Sequence, residues 1–270
     1  MKVLNGKELA GFIEERQARQ VRGLRQAHKI YPKLAIIQTI DNPVIDSYVA
    51  LKQQYGAEIL VDVEVYKIDQ PDMAGVIQRL NNDPSVHGII IQLPLADESY
   101  IQEAVDAVAP EKDVDGLGKN AILDPATPVA INWLIAGYNV NLVGKKIAMV
   151  GNGRLVGAPL SRIWRESGYD ITVFDNKSTN MKQELKDFDV IVTAAGIPGL
   201  IESESVKLGA VVIDAGTAAE HGKIVGDVAS DVRARDDITI TPEKGGVGPL
   251  TVSALFDNVI RAAQATSVDD

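Results

Sequence analysis

Tyr48 and Lys52 stand four residues apart in the stretch from Asn42 to Gly56, a spacing that puts both on one face of a helix. Pro43 suits the first helical turn, where a missing N–H does no harm, and Gly56 suits the helix end. A phenol beside an ammonium is an acid/base pair, useful near neutrality where burial draws the lysine down from its ordinary value of about 10.4. The same pair also fits a solvent-facing helix, so its neighbours have to decide. Gln92 closes the apolar run 87–93 just before Pro94, which places it at a strand's carboxyl edge, where α/β sheets take their ligands. Asp113 and Asp115, in the polar turn 112–116, are hard oxygen donors, but no further cluster of such donors completes a metal site. His28, His87 and His221 fit neither a triad nor a His-x-x-x-His spacing, and His87 reads as a packing or strand-edge residue.

A second constellation is Gly151-x-Gly153-x-x-x-Gly157, between an apolar strand and a helical stretch. Glycines there let backbone approach a pyrophosphate at a helix N-terminus, where amides and dipole favour an anion. The spacing is one residue longer than the usual G-x-G-x-x-G, but the strand–loop–helix context is the one that motif requires. Asp175 ends the next strand, about 24 residues on, where an acid binds adenine-ribose hydroxyls. Tyr-x-x-x-Lys also occurs in short-chain dehydrogenases, but after the nucleotide loop; here it comes about a hundred residues before it, so that reading fails on order. Gly245-Gly246-Val247-Gly248-Pro249 allows close approach ahead of the last helix and suits a ligand wall; a plain turn is the simpler alternative.

The elements that must carry these residues alternate. A short strand at 2–4 and a helix over 7–28 precede strands at 33–39, 58–66 and 87–93, with helices over 43–56, 72–81 and 98–108. That alternation implies a parallel sheet covered on both faces, a first domain over 1–122. Thr127 as cap and Pro128 as first residue start a helix to about Tyr138, within a bridge over 123–139. Strands at 145–150, 170–175, 189–194, 210–214 and 238–240, with a helix over 155–167, form a second, Rossmann-type α/β domain over 140–250. A final helix over 251–266, capped by Thr251, is expected to pack back on the first domain. The net charge of −10 and pI near 4.9 argue against nucleic acid, which needs a basic stripe. The absence of cysteine excludes disulfides, thiolate nucleophiles and Cys-ligated metal. No apolar run approaches the roughly 18 residues of a membrane span, and the N-terminus carries no signal-peptide core; a cytoplasmic enzyme is the default expectation.

Several stretches together resemble the methylenetetrahydrofolate dehydrogenase/methenyltetrahydrofolate cyclohydrolases: Ser47-Tyr48-Val49-Ala50-Leu51-Lys52, Gln92-Leu93-Pro94-Leu95, Pro110 to Gly116, Val156-Gly157-Ala158-Pro159, Ala195 to Gly199, Val212 to Gly216, Gly226-Asp227-Val228 and Gly245 to Thr251. The likeness covers nearly the whole chain. It implies two α/β domains with a cleft between them, tetrahydrofolate substrates, NAD(P)+, no metal and a homodimer. It also implies oxidation of methylenetetrahydrofolate, then water attack on the methenyl cation to give the formyl compound. Lys52 would be the key residue of hydrolysis, Tyr48 would hold the folate, Gln92 would tune the lysine and Asp115 would bind the pterin amine edge. Leu93, Pro94, Gly246, Gly248 and Pro249 would complete the folate side. Gly151, Asn152, Gly153, Arg154, Val156, Gly157, Asp175, Asn176, Lys177, Ala195, Gly196 and Thr217 would hold the cofactor. The chain departs from the family at Ala126, where Cys is usual, at Ala130, where Gly is, and at Glu243-Lys244, where Val-Pro is. Asn152 and Gly153 replace an Arg-Ser pair, and Asn176 a serine. Neutral Asn152 and Asn176 beside acidic Asp175 favour NAD+ over NADP+.

Overall fold

The computed structural model describes residues 2–220 and 223–267; His221 lies outside them. In chain order the elements are β1 (Lys2–Val3), α1 (Gly6–Gly23, continued by a π turn), β2 (Lys33–Gln38), α2 (Pro43–Glu58), β3 (Asp62–Lys67), α3 (Met73–Asn81), β4 (Gly88–Gln92), α4 (Ile101–Asp106), α5 (Ala126–Gly137), β5 (Ile147–Val150), α6 (Gly157–Glu166), β6 (Ile171–Phe174), α7 (Met181–Glu184), β7 (Val190–Thr193), β8 (Val211–Asp214), β9 (Ala218–Glu220), β10 (Lys223–Val225), α8 (Ser230–Arg233), β11 (Thr239–Ile240) and α9 (Val247–Ala265). They fall into two compact units, residues 11–126 with the chain from Val252 onward, and residues 127–251 with the first ten.

In the unit of residues 11–126, three parallel strands lie in the order β3-β2-β4. β2 and β4 are apolar runs because both faces are covered. Ala35 and Ile37 of β2 and Ile89 and Ile91 of β4 pack with Met73, Val76, Ile77 and Leu80 of α3, a stripe at the i, i+3, i+4, i+7 spacing of a helix. The third strand starts later than the pattern from Glu58 suggests. α2 runs on to Glu58, Leu60 turns the chain at φ 66°, and pairing begins at Asp62. Gly56 is therefore not a helix stop. A Cβ there would stand 2.5 Å from Val63 Cγ2 and 2.9 Å from Val61 O, so the glycine admits the close packing of α2 on β3.

The other unit has six parallel strands in the order β1-β11-β8-β7-β5-β6. Its core includes Ala148, Val150, Ile191 and Val212, with Phe174 and Phe188 edge to face at 5.6 Å. Four expectations are corrected here. The first strand pairs Lys2 with Thr239 and Val3 with Ile240, so the N-terminus belongs with this sheet rather than with the first domain. α5 falls in this unit from Thr127 onward, and it starts at Ala126, which leaves Thr127 inside the first turn instead of capping it. α9 starts at Val247, so Thr251 does not cap it; the hydroxyl donates back to Val247 O at 3.4 Å. The antiparallel pair β9–β10 was not anticipated, because three-residue strands carry no readable alternation. Among the described residues, no helix is long and apolar enough to cross a membrane.

Candidate active site and nucleotide-binding edge

Asn42 caps α2, accepting the Val44 N–H at 2.8 Å, and Pro43 fills the first turn. That start sets the face on which Tyr48 and Lys52 stand. Lys52 Nζ donates to Gln92 Oε1 at 2.9 Å, while Gln92 Nε2 donates to Leu93 O at 2.9 Å. The amide is held at both ends at the carboxyl edge of β4, just before the cis peptide Leu93–Pro94. Lys52 is half-buried. Burial pulls its ammonium below the usual lysine range, and the charge of Asp115 works against that shift. Asp115 is moved the other way: burial raises its carboxyl to about 6, against the favourable pull of Lys52 and with the like charge of Asp113 adding to the rise. Tyr48, 37% exposed, leaves its hydroxyl without a hydrogen-bond partner among the described residues. The structure thus brings Lys52, Gln92 and Asp115 together, with Tyr48 one turn away from Lys52.

The loop carrying Asp115 is anchored by residues that spacing alone did not identify. Lys112 Nζ donates to Leu80 O, Asn81 O and Asp83 O at 2.7–3.0 Å, satisfying carbonyls at the end of α3. Val114 is fully buried, and a Cβ on Gly88 would stand 2.9 Å from its methyls. Asn258 of α9 donates to Val114 O and Asp124 O, both at 2.9 Å. His87 is a packing residue: it is buried, and its Nδ1 accepts the Lys33 N–H at 3.3 Å.

In the six-stranded sheet the register pairs Val150 with both Phe174 and Thr193, and Thr193 with Asp214. Four strands therefore end level, and the loops holding Gly151 to Gly157, Asp175 to Lys177, Ala195-Gly196 and Thr217 share one carboxyl edge. Gly151 has φ 95°, and a Cβ there would stand 2.5 Å from Ala194 O. A Cβ on Gly157 would stand 1.9 Å from Gly151 O, whereas Gly153 faces open space. The loop is tight below and open above, the shape a diphosphate needs at the start of α6. Val156 is the residue just before that helix. Asp175 Oδ1 accepts the Lys177 N–H at 2.9 Å, so one oxygen shapes its own turn. Asn152, Arg154, Asn176 and Lys177 are exposed. Gly196, at φ 69°, comes up to Thr217: a Cβ there would stand 3.6 Å from Thr217 O. Gly246, Gly248 and Pro249 lie in the same unit as this sheet, the last two in the first turn of α9. Part of that glycine run serves packing, since a Cβ on Gly6 would stand 1.8 Å from Gly246 O, and Lys7 N–H donates to Gly245 O at 2.9 Å.

Residues 4–115 match the tetrahydrofolate dehydrogenase/cyclohydrolase catalytic domain, and residues 125–267 match the NAD(P)-binding domain of the same family. The chain belongs to the tetrahydrofolate dehydrogenase/cyclohydrolase family. The bifunctional protein FolD of Staphylococcus epidermidis is 37% identical over 97% of this chain and 96% of its own length. The crystal structure of the bifunctional FolD methylenetetrahydrofolate dehydrogenase/cyclohydrolase of Campylobacter jejuni superposes with a TM-score of 0.93, at 32% identity, over 98% of this chain and 99% of that one. The Trypanosoma brucei dehydrogenase–cyclohydrolase, solved with NADP and an inhibitor, does so with a TM-score of 0.91, at 30% identity, over 98% and 97%. Function follows from membership: the chain is a methylenetetrahydrofolate dehydrogenase/cyclohydrolase of one-carbon folate metabolism, with a catalytic and an NAD(P)-binding domain.

Within the NAD(P)-binding domain, two acids missed as site residues build the edge from beneath. Asp227, fully buried, accepts from Thr193 Oγ1 at 2.6 Å, Ala195 N at 2.7 Å and Ile197 N at 2.8 Å. Asp214 accepts the amides of Gly216, Asp227 and Val228 and pairs with Arg233. A Cβ on Gly226 would stand 2.1 Å from Asp214 Oδ2. The signal available was an acid beside apolar residues and close to a glycine, in Ile213-Asp214-Ala215-Gly216 and Gly226-Asp227-Val228; as a family match it carried no role.

Proposed function

We propose that Lys52, Tyr48, Gln92 and Asp115 carry the folate chemistry of both activities. The observation behind this reading is the half-buried Lys52 ammonium held by Gln92 beside an acid that burial pushes up to about 6. A lysine lowered in this way gives up its proton more readily than a solvated one, and its neutral form is a base. In hydrolysis of the methenyl cation, Lys52 in its neutral form takes one proton of the attacking water and passes it to the ring nitrogen as that C–N bond breaks, and the remaining hydroxyl proton leaves to solvent as the formyl C=O forms. Gln92 keeps the Nζ lone pair aimed by holding the amine with a fixed carbonyl oxygen. Asp115, acceptor-only when ionised, receives the donors of the pterin amine edge, and the free Tyr48 hydroxyl steadies the folate. NAD(P)+ supplies the hydride acceptor of the dehydrogenase step when bound, and the Gly151–Gly157 loop with the strand ends beside it would hold it. An assay following methenyl formation and decay together tests the reading: wild type shows both, and formation without decay would remove the hydrolytic role of Lys52.

For the cofactor we infer a preference for NAD+. Asn152 and Asn176 offer no charge to a 2′-phosphate, and the Asp175 carboxylate repels one while accepting ribose hydroxyls. Two unit charges about 4 Å apart interact by roughly 4 kcal/mol at an effective dielectric near 20, and salt cuts this to about 1–2 kcal/mol. Exposed Arg154 and Lys177 oppose the trend. The family resemblance also supports a cytoplasmic homodimer, which light scattering reads as twice 29.0 kDa.

A further inference from the structure

Asp113 is buried two residues from Asp115, and its carboxylate is occupied by its own loop. Oδ1 accepts the Gly116 N–H at 2.9 Å and, more distantly, the Leu117 N–H at 3.5 Å; Oδ2 accepts the Gly118 N–H at 2.8 Å. Gly118 approaches so closely that a Cβ there would stand 3.0 Å from Oδ2 and 2.8 Å from Val105 O. On its other side Asp113 forms a parallel bridge with Ile89 of β4, where the Ile89 N–H donates to Lys112 O at 2.8 Å. Asp115 lies between these two attachments, and its side chain makes no hydrogen bond among the described residues. Its place beside Lys52 is therefore decided by the backbone that Asp113 gathers.

We propose that Asp113 is a positioning residue of the folate site: through the amides of Gly116 and Gly118 its carboxylate fixes where the carboxylate of Asp115 stands against Lys52. The inference rests on the reading of Asp115 as the pterin anchor. Asparagine cannot do the same work, since one oxygen becomes an NH2 group facing an N–H donor. The charges acting on Asp115 are Lys52 of α2, which favours its ionised form, and Asp113 itself, which disfavours it. Removing the charge at Asp113 thus changes both the place of Asp115 and the pH at which it titrates, a double signature that loss of structure alone does not give.

The test is steady-state kinetics of the full chain with saturating cofactor, from about pH 5 to pH 8, on wild type, Asp113→Asn, Asp113→Glu and Asp115→Asn. Asp113→Asn should raise the KM for methylenetetrahydrofolate roughly tenfold, the scale of one charged hydrogen bond. It should also move the acid limb of the KM profile to lower pH and, in a second series with folate saturating and cofactor varied, leave the KM for NAD(P)+ unchanged. Asp113→Glu keeps the charge but moves it by a methylene, so KM should rise while the acid limb stays in place. If Asp113→Asn does not fold, Asp113→Glu carries the test: a raised KM supports the proposal, and a fall in kcat alone overturns it. Lower kcat with KM and acid limb unmoved in both variants would make Asp113 merely structural. If Asp115→Asn raises KM but neither Asp113 variant does, the positioning role fails alone. If Asp115→Asn leaves KM unmoved, the anchor reading fails and takes the proposal with it.

Discussion

Replacing Asp115 by asparagine should stabilise the ligand-free protein at neutral pH while weakening its hold on folate. The carboxyl titrates near 6 in the folded protein against 3.8 in an unfolded chain. The folded state therefore binds a proton through a window in which the unfolded state has already released it. The cost to stability is absent below about pH 3.8, grows as pH rises through that window and is complete above about pH 6. A shift of about two units, at about 1.4 kcal/mol each, sets an upper value near 3 kcal/mol. Asp115 is partly open to solvent, which brings the expected gain to about 1–2 kcal/mol. Asparagine has nearly the same shape and cannot ionise, so it removes this cost. Urea denaturation of wild type and Asp115→Asn at about pH 7.5 and about pH 4.5 reads the effect: a higher midpoint for the variant at the upper pH, with the gap shrinking at the lower. The same variant should lose about 1.5–3 kcal/mol of folate affinity, the range for a charged hydrogen bond. Equal midpoints at both values, or a gain of the same size at both, would refute the account of burial and charge around Asp115.

Lys52→Met should abolish methenyl hydrolysis while the protein stays folded, since the change removes a half-buried ammonium and keeps its stem; hydrolysis at the wild-type rate would take Lys52 out of the mechanism. Gly157→Ala should cost at least tenfold in NAD(P)+ affinity, because its Cβ would stand 1.9 Å from the backbone oxygen of Gly151 and the loop must shift; isothermal titration checks this. The relative kcat/KM for NAD+ and NADP+ should move toward NADP+ in Asp175→Ser by roughly tenfold, following removal of about 1–2 kcal/mol of repulsion. A wild type that prefers NADP+ with Asp175→Ser unchanged would place the phosphate on Arg154 or Lys177.

Short-range pattern was enough for much of this molecule. Apolar runs such as 33–38 and 88–92 mark buried parallel strands, because a strand covered on both faces has no polar side to show. Pro43 marks the start of α2, and glycines between a strand and a helix mark the nucleotide loop. Tyr48, Lys52, Gln92 and Asp115 were legible as candidates through their motifs, and family membership with its two activities was legible from the same stretches. Tertiary structure decided what depends on distant partners. The strand β1 is two residues long, and only pairing with Thr239 and Ile240 shows which sheet it joins. Gly56 looked like a helix stop, but its meaning lies in Val63, across the turn. Asp113 stood in the sequence as a hard donor without the cluster a metal site needs, and what it binds are amides three to five residues ahead, folded back onto it. The displaced titrations of Lys52 and Asp115 have no local signature at all, because desolvation and the charge of a residue 63 positions away exist only once the chain has folded.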